Sequence, residues 1–297
     1  MKFFWMGALL LTFACISSCV STPDSYPPSR PPIAGTIPPR PAWASGAQGL
    51  SKELTRANES AREAIILREL TRGNMPNFLR KQVSVNFTAK TRSGRSKKVT
   101  IWVLPDYLAL GSDADFLRIP MSPVTAQRVA DRFGLMLPTV KMVDTIYRAA
   151  PLRLAPRPLP ASRLMVTTPV YYRHNANVQA QIGNKPPRGL IAGHKKDVVI
   201  TNQLLARPKK VAIYGWHRIN GRAIQPLSLV HGNWYADYSH GIRLVNLMVR
   251  IDNQLLRISD VLKNPELAPL LSYEGTMIQT RYRVNEGDLQ KKWMPQS

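Results

Sequence analysis

Lys210-Val-Ala-Ile-Tyr-Gly-Trp216-His-Arg-Ile-Asn220-Gly221-Arg-Ala-Ile-Gln-Pro-Leu227 decides the fold class of this chain. An apolar and aromatic run meets an Asn-Gly dipeptide and returns through a second run, which is the strongest short-range signal for a hairpin. Hairpins pair strands antiparallel, whereas a doubly wound parallel sheet needs a helical crossover between neighbours. Working outward, Thr91-Arg-Ser-Gly94-Arg sits between the strand-like runs Val83–Ala89 and Lys98–Leu104, and Asp252-Asn253 turns back the run Ile242–Ile251.

Helical spacing predicts one helix over Leu50–Arg72, a second capped by Ser122 or Thr125 and ending at Phe133, and a third capped by Thr139 and ending at Ala149. Val170–Ile182 fits helix and strand equally, Thr201–Ala206 reads as a short helix, and Val261–Leu271 as a proline-broken helical end. The predicted fold is α+β: a mixed, largely antiparallel sheet with hairpins and a few packed helices. Four prolines in Pro151–Pro160 mark a boundary between an N-terminal part, 50–160, and a β-rich C-terminal part, 161–297; a surface crossover inside one domain accounts for them equally well.

Ahead of the domain, Lys2 precedes the apolar run Phe3–Ala14, followed by Ile16-Ser-Ser-Cys19. Charged-then-apolar order in a run too short to span a bilayer is that of a secretory signal peptide over residues 1–19. The four residues at its end resemble a bacterial lipobox, which implies lipidation of Cys19, and Val20 after it implies sorting to an outer membrane where the cell has one. Val20–Gly49 carries eight prolines without apolar periodicity, and reads as an extended, disordered tether. The expected address is therefore the bacterial cell envelope, with the membrane a partner through the N-terminal lipid.

The chain of 297 residues carries a formal charge of +23, of which only Lys2 lies before Cys19. Such a charge attracts anionic polymers. An exported protein meets peptidoglycan, acidic glycans and anionic lipid rather than nucleic acid. Both cysteines, Cys15 and Cys19, lie in the leader, so the exported domain has no disulfide and no thiol nucleophile.

Candidate chemistry concentrates in Gly193–Asn246, which holds four of the five histidines: His194, His217, His231 and His240. Its densest part is His231-Gly-Asn-Trp-Tyr-Ala-Asp-Tyr-Ser-His240-Gly-Ile-Arg243. Metal-assisted hydrolysis needs neutral imidazoles, a carboxylate and an open position for water; His194, Asp197 and His217 supply such a set, with zinc the expected ion. Metal-free acid–base or serine chemistry would use Asp237, Ser239 and His240 or His231. In an extended strand Asp237 and Ser239 would face away from Tyr238 and His240, so Ser239 would need a histidine from another segment. Trp216, Trp234, Tyr235, Tyr238 and Lys195 would bind substrate. Glycines after His231 and His240 would let the backbone approach a ligand closely.

Two resemblances attach to these residues. The order His194…Asp197…Trp216-His217 resembles zinc peptidases that cut D-amino-acid peptides of the cell wall, with a shorter His-to-Asp interval. His231-Gly232 followed by Ser239-His-Gly-Ile-Arg243 resembles the L,D-transpeptidase signature over about a dozen residues. That likeness implies His231 as the upstream histidine, His240 as general base and Arg243 as the holder of a carboxyl or oxyanion. Ile242 stands where the family has its nucleophilic cysteine, so the thiolate mechanism does not carry over. Three functions follow as expectations: an envelope hydrolase, a non-catalytic lipoprotein that binds acidic glycans, or a cysteine-less relative of the transpeptidases.

Overall fold

The computed structural model describes Met1, residues 37–183 and residues 189–284. The lipobox-like leader with Cys19, and the tether as far as residue 36, lie outside the described residues.

Helices α1 (Ala47–Arg56) and α2 (Glu59–Thr71) precede a hairpin of β1 (Val83–Lys90) and β2 (Ser96–Val103). The ribbon β3 (Ala109–Gly111) and β4 (Phe116–Arg118) comes next, then α3 (Pro123–Phe133), β5 (Leu135–Met136) and α4 (Val140–Ala149). After β6 (Leu152–Arg153) the chain crosses the proline-rich stretch to α5 (Thr168–Ile182). The site-bearing half runs through β7 (Ile191–Ala192), β8 (Lys196–Val198), α6 (Gln203–Ala206), β9 (Ile213–His217), β10 (Ala223–Ser228) and β11 (His240–Gly241). Strands β12 (Val245–Ile251) and β13 (Gln254–Arg257) and helix α7 (Ile258–Lys263) follow.

The fold is α+β. One sheet has the order β1-β2-β12-β13, with β5 paired to β12, and every pairing in it is antiparallel. The other has the order β10-β9-β8-β11, antiparallel except that β11 runs parallel to β8. The first sheet joins β1 and β2 of the N-terminal half to β12 and β13 of the C-terminal half. Residues from Ala47 to Tyr282 contribute to one large apolar cluster, and Leu154, inside Pro151–Pro160, packs with Val178 and Ile191 in a smaller one.

Local chemistry explains where the elements begin and end. The helix expected over Leu50–Arg72 is two helices, because the backbone of Ala57 is extended and the Asn58 side chain accepts a hydrogen bond from Ala61 N at 2.9 Å, capping α2. Ser122 and Thr139 cap α3 and α4 by accepting from Thr125 N and Met142 N, each at 3.2 Å. In α5 the buried residues Val170, Tyr171, His174, Asn175 and Val178 recur with helical period, which resolves the ambiguous stretch. The hairpin at Asn220-Gly221 closes with Gly221 at φ 87°, Gly221 N donating to Arg218 O at 2.8 Å.

The chain joins the body earlier than residue 50. Arg40 donates to Asn74 Oδ1 at 3.2 Å and to Gly111 O at 3.0 Å, and Pro38 O accepts from Arg80 Nη2 at 2.8 Å. Among the described residues no helix is long and apolar enough to cross a membrane.

Replacing Asn58 by alanine removes the α2 cap and leaves the Ala61 N–H to solvent. The expected loss is about 1 kcal/mol of stability, read as a shift of the urea midpoint at unchanged slope; an unchanged midpoint would remove the cap from the account.

Candidate functional site

The second sheet carries the histidine-rich window. Pairing of β11 with β8 sets His240 opposite Lys196 and Gly241 opposite Asp197, and β9 sets Gly215 and Tyr214 opposite the same two residues of β8. Register thus places His240 and Lys196 on one row and Asp197 and Tyr214 on the next.

Asp237-Tyr238-Ser239 is a turn leading into β11, not a strand. Ser239 N and Ser239 Oγ donate to Asp237 Oδ1 at 2.7 and 2.6 Å, Tyr235 OH donates to Asp237 Oδ2 at 3.1 Å, and His240 N donates to Asp237 O at 3.1 Å. The turn folds the Asp237 carboxylate back, so that Oδ2 lies 3.9 Å from His240 Nε2. The separation of these two side chains expected of an extended strand is overturned by the side-chain hydrogen bonds, an Asx-type turn that competes with pairing. Ser239 Oγ is committed to Asp237 and is fully buried, so it does not sit as a nucleophile on a histidine.

His240 is the anomaly. Its ring is fully buried and, among the described residues, neither nitrogen has a hydrogen-bond partner, a condition it shares with His174; what sets it apart is the Asp237 carboxylate 3.9 Å away. Burial pushes it down to about 4, Asp237 opposing the shift and Lys196 adding to it. Burial works against the charge of Asp237 too, but His240, the two Ser239 hydrogen bonds and Lys196 outweigh it and hold the carboxyl below its usual range. Tyr235 meets the His240 ring edge-on, centroids 5.7 Å apart, and His231 stacks on the other side of this ladder, 4.0 Å from Tyr235. His231 and Tyr235 are half-buried, and Trp234 beside them is 53% exposed. The Asp237–His240 pair therefore lies one side-chain layer beneath the surface.

The residues expected to hold zinc go three ways. His194 shares a hydrogen bond with Asp106 at 3.0 Å, and Asp106 forms a buried ion pair with Arg118 at 2.7 Å. Asp197 accepts from Tyr107 OH at 2.8 Å. His217 bonds to Asp144 at 2.9 Å, where Tyr214 and Tyr273 also donate, and stacks on Tyr147 at 4.4 Å. Among the described residues no group of three or more metal-ligating side chains is placed to hold an ion. Each expected ligand has a private partner, so the candidate residues of the window fall into separate clusters, one of them around Asp237 and His240.

Several expected binding residues are structural. Lys195 is 1% exposed and its Nζ donates to Tyr238 O at 2.6 Å; burial pulls it down to about 7. Arg243 is equally buried, and its two η nitrogens donate to Leu104 O at 2.8 Å and Ile191 O at 2.6 Å, which leaves no fork for a substrate carboxyl. Tyr238 OH accepts from Leu159 N at 2.7 Å, and Trp216 is buried against Tyr238 with φ at 55°. Ile242 is part of the core. Gly241 serves packing rather than a ligand: a Cβ there would lie 2.6 Å from the Tyr107 ring and 2.7 Å from Lys195 Cβ. Gly232 is covered by Trp234, whose Nε1 would lie 2.4 Å from an added Cβ.

Asp106, Tyr107, Arg118, Asp144 and His174 went unmarked because they lie far from the window in sequence; a lone Asp or Tyr in an apolar stretch gives no local signal. Lys196, which the sequence offers with Lys195 as part of a basic rim, has a more specific place. Its ammonium stands 5.1 Å over the Trp216 ring and acts on both Asp237 and His240, which makes it the cation of the site.

No family model, curated protein or solved structure matches this chain. Its functional reading rests on the geometry.

Burial depresses His194 and His240 to about 4 and His174 to about 2, and raises Asp197 to about 6. Between pH 6.5 and 4 the unfolded chain binds protons at the three histidines that the folded chain refuses, which lowers stability as pH falls. Asp197 does the reverse, since its folded form takes a proton before its unfolded form does. Unfolding near pH 5 is expected to take up roughly two protons net from these groups. Urea midpoints across pH 4–7 measure this, and a flat profile would contradict it.

Proposed function

We propose that the protein is a lipid-anchored hydrolase of the bacterial envelope, acting on peptidoglycan or another anionic envelope polymer through the Asp237–His240 pair. The observation that carries the reading is His240 itself. A fully buried imidazole with both nitrogens unbonded, 3.9 Å from a carboxylate, is costly to maintain in a fold. Fixed, unsatisfied polar groups of this kind are what a reaction can use. The lipobox-like leader supports the address, and the charge of +23 supports an anionic substrate.

The neutral imidazole takes a proton from water as general base, and Asp237 stabilises the imidazolium that results. Lys196 offers positive charge to the oxygen that gains negative charge in the transition state. Access requires Tyr235 and His231 to move aside. Zinc chemistry with His194, Asp197 and His217 ranks behind this reading, because those three side chains face different partners. Binding of acidic glycans without catalysis remains the second reading, favoured by the charge of +23, which attracts anionic polymers whether or not a reaction follows.

His240→Ala and Asp237→Asn are each expected to lower release of soluble fragments from purified peptidoglycan by about 10²–10⁴-fold, with the thermal midpoint little changed. The amide in Asp237→Asn retains an oxygen for the Ser239 donors, so that variant keeps the turn. The wild-type rate should hold down to an acid limb near pH 4, where burial places His240. Unchanged turnover in both variants would sink the assignment, and polymer binding that fades with salt in the absence of any turnover would establish the second reading.

A further inference from the structure

A groove of about 730 Å³ runs between the start of α2 and the segment that enters α5. Its charged lining is Glu59, Arg62 and Arg173, and its apolar lining includes Leu164, Val166 and Val170. We propose that this groove binds a short peptide bearing free carboxylate and amino groups, and that it presents that peptide to Asp237 and His240; the second clause rests on the hydrolase reading above.

Three observations carry the assignment. First, the segments that carry the groove lining are tied to the turn on both sides of Asp237 through neighbours of lining residues: Tyr171 OH donates to Ala236 O at 2.7 Å, and Tyr238 N donates to Met165 O at 3.0 Å. The electrostatics agree, since Glu59 acts on Tyr235 and Arg173 acts on Tyr238.

Second, Arg62 is 8% exposed, stands 5.2 Å over the Tyr171 ring, and among the described residues its side chain makes one long hydrogen bond, to Tyr171 OH at 3.5 Å. A guanidinium carries five donors in a planar fork suited to a carboxylate. Arg62 is held in place by stacking and keeps donor capacity for a ligand. Arg173, exposed across the groove, adds a second cation.

Third, the remaining lining fits a peptide better than a simple anion. Glu59 would repel a polyanion but pairs with an ammonium, and Leu164, an apolar residue 61% exposed, offers cover to methyl-bearing side chains. A peptide with carboxylates and an amine satisfies all of these at once.

The test uses the full-length protein in detergent. The probe is the set of disaccharide–peptide fragments released from peptidoglycan by a muramidase, compared with the same fragments methyl-esterified at their carboxyls and with glycerol-phosphate oligomers. Titration calorimetry is expected to show binding of the free acids, weaker by about tenfold or more for the esters and for Arg173→Glu, since a charge-assisted pair is lost. Asp237→Asn should bind the free acids as the wild type does. Arg62→Met should also weaken binding; if it fails to fold, Arg173→Glu, on the surface, decides. Equal affinity for acid and ester, unchanged affinity in Arg173→Glu, or tighter binding of the phosphate oligomers would overturn the proposal. Carboxylate-dependent binding without any hydrolysis would overturn the hydrolase reading and leave the groove standing. Loss of hydrolysis in His240→Ala with full affinity in Arg173→Glu would do the opposite.

Discussion

Three parts of the structure are linked through one buried carboxylate, Asp106. It accepts from Arg118 Nε at 2.8 Å, shares a hydrogen bond with His194 at 3.0 Å, and accepts from Tyr107 N at 2.7 Å. Arg118 in turn donates to Asn175 and Gln179 of α5. One charge thereby links β4, α5 and the turn between β7 and β8. Burial opposes the charge on Asp106, but Arg118 and His194 hold its carboxyl far below the usual range. A buried ion pair is a weak source of net stability against an apolar replacement, and a strong source of damage when one partner is removed. Its consequence here is positional: His194 is anchored, and with it the register of Lys195, Lys196 and Asp197 along β8.

From that register the rest of the site follows. Parallel pairing of β11 with β8 brings His240 beside Lys196, and the buried Lys195 holds the carbonyl of Tyr238, fixing the turn that carries Asp237. Adjacent lysines have opposite fates because neighbours on a strand point to opposite faces. Lys195 enters the core as a tether for the turn, whereas Lys196 stays half-exposed over Trp216 as the cation next to the pair.

Much of the fold was legible in the sequence because its signals are local. Asn220-Gly221, Gly94, Ser122 and Thr139 each act within a few residues, and each marks a turn or cap where the chain has one. The break between α1 and α2 was equally local and was missed, since the apolar spacing across Ala57 and Ala61 masks the cap at Asn58. The site was legible in part. Asp237 and His240 were marked by their density in one window, but their meeting depends on a side-chain turn that a strand reading hides. The partners of His194, Asp197 and His217 lie 88, 90 and 73 residues away in the chain, so spacing within the window could not reveal that the three are kept apart.

That separation bears on how the four histidines of the window divide their work. His194 and His217 each face a carboxylate at hydrogen-bond distance, and His231 stacks on Tyr235 at the surface. His240 alone among them is both fully buried and without a hydrogen-bond partner on either nitrogen. An unbonded buried polar group is destabilising where an apolar replacement of similar size is not, and this fold bears that cost at His174 as well. The surrounding groups make such a replacement easy: Tyr235 already supplies a ring edge, and the Asp237 carboxylate is satisfied by Ser239 and Tyr235 without the imidazole. The turn does not need His240 to form. What His240 adds to the turn is a buried imidazole beside a carboxylate and a lysine, and it is this neighbourhood, not the missing hydrogen bonds that His174 shares, on which the proposed general base rests.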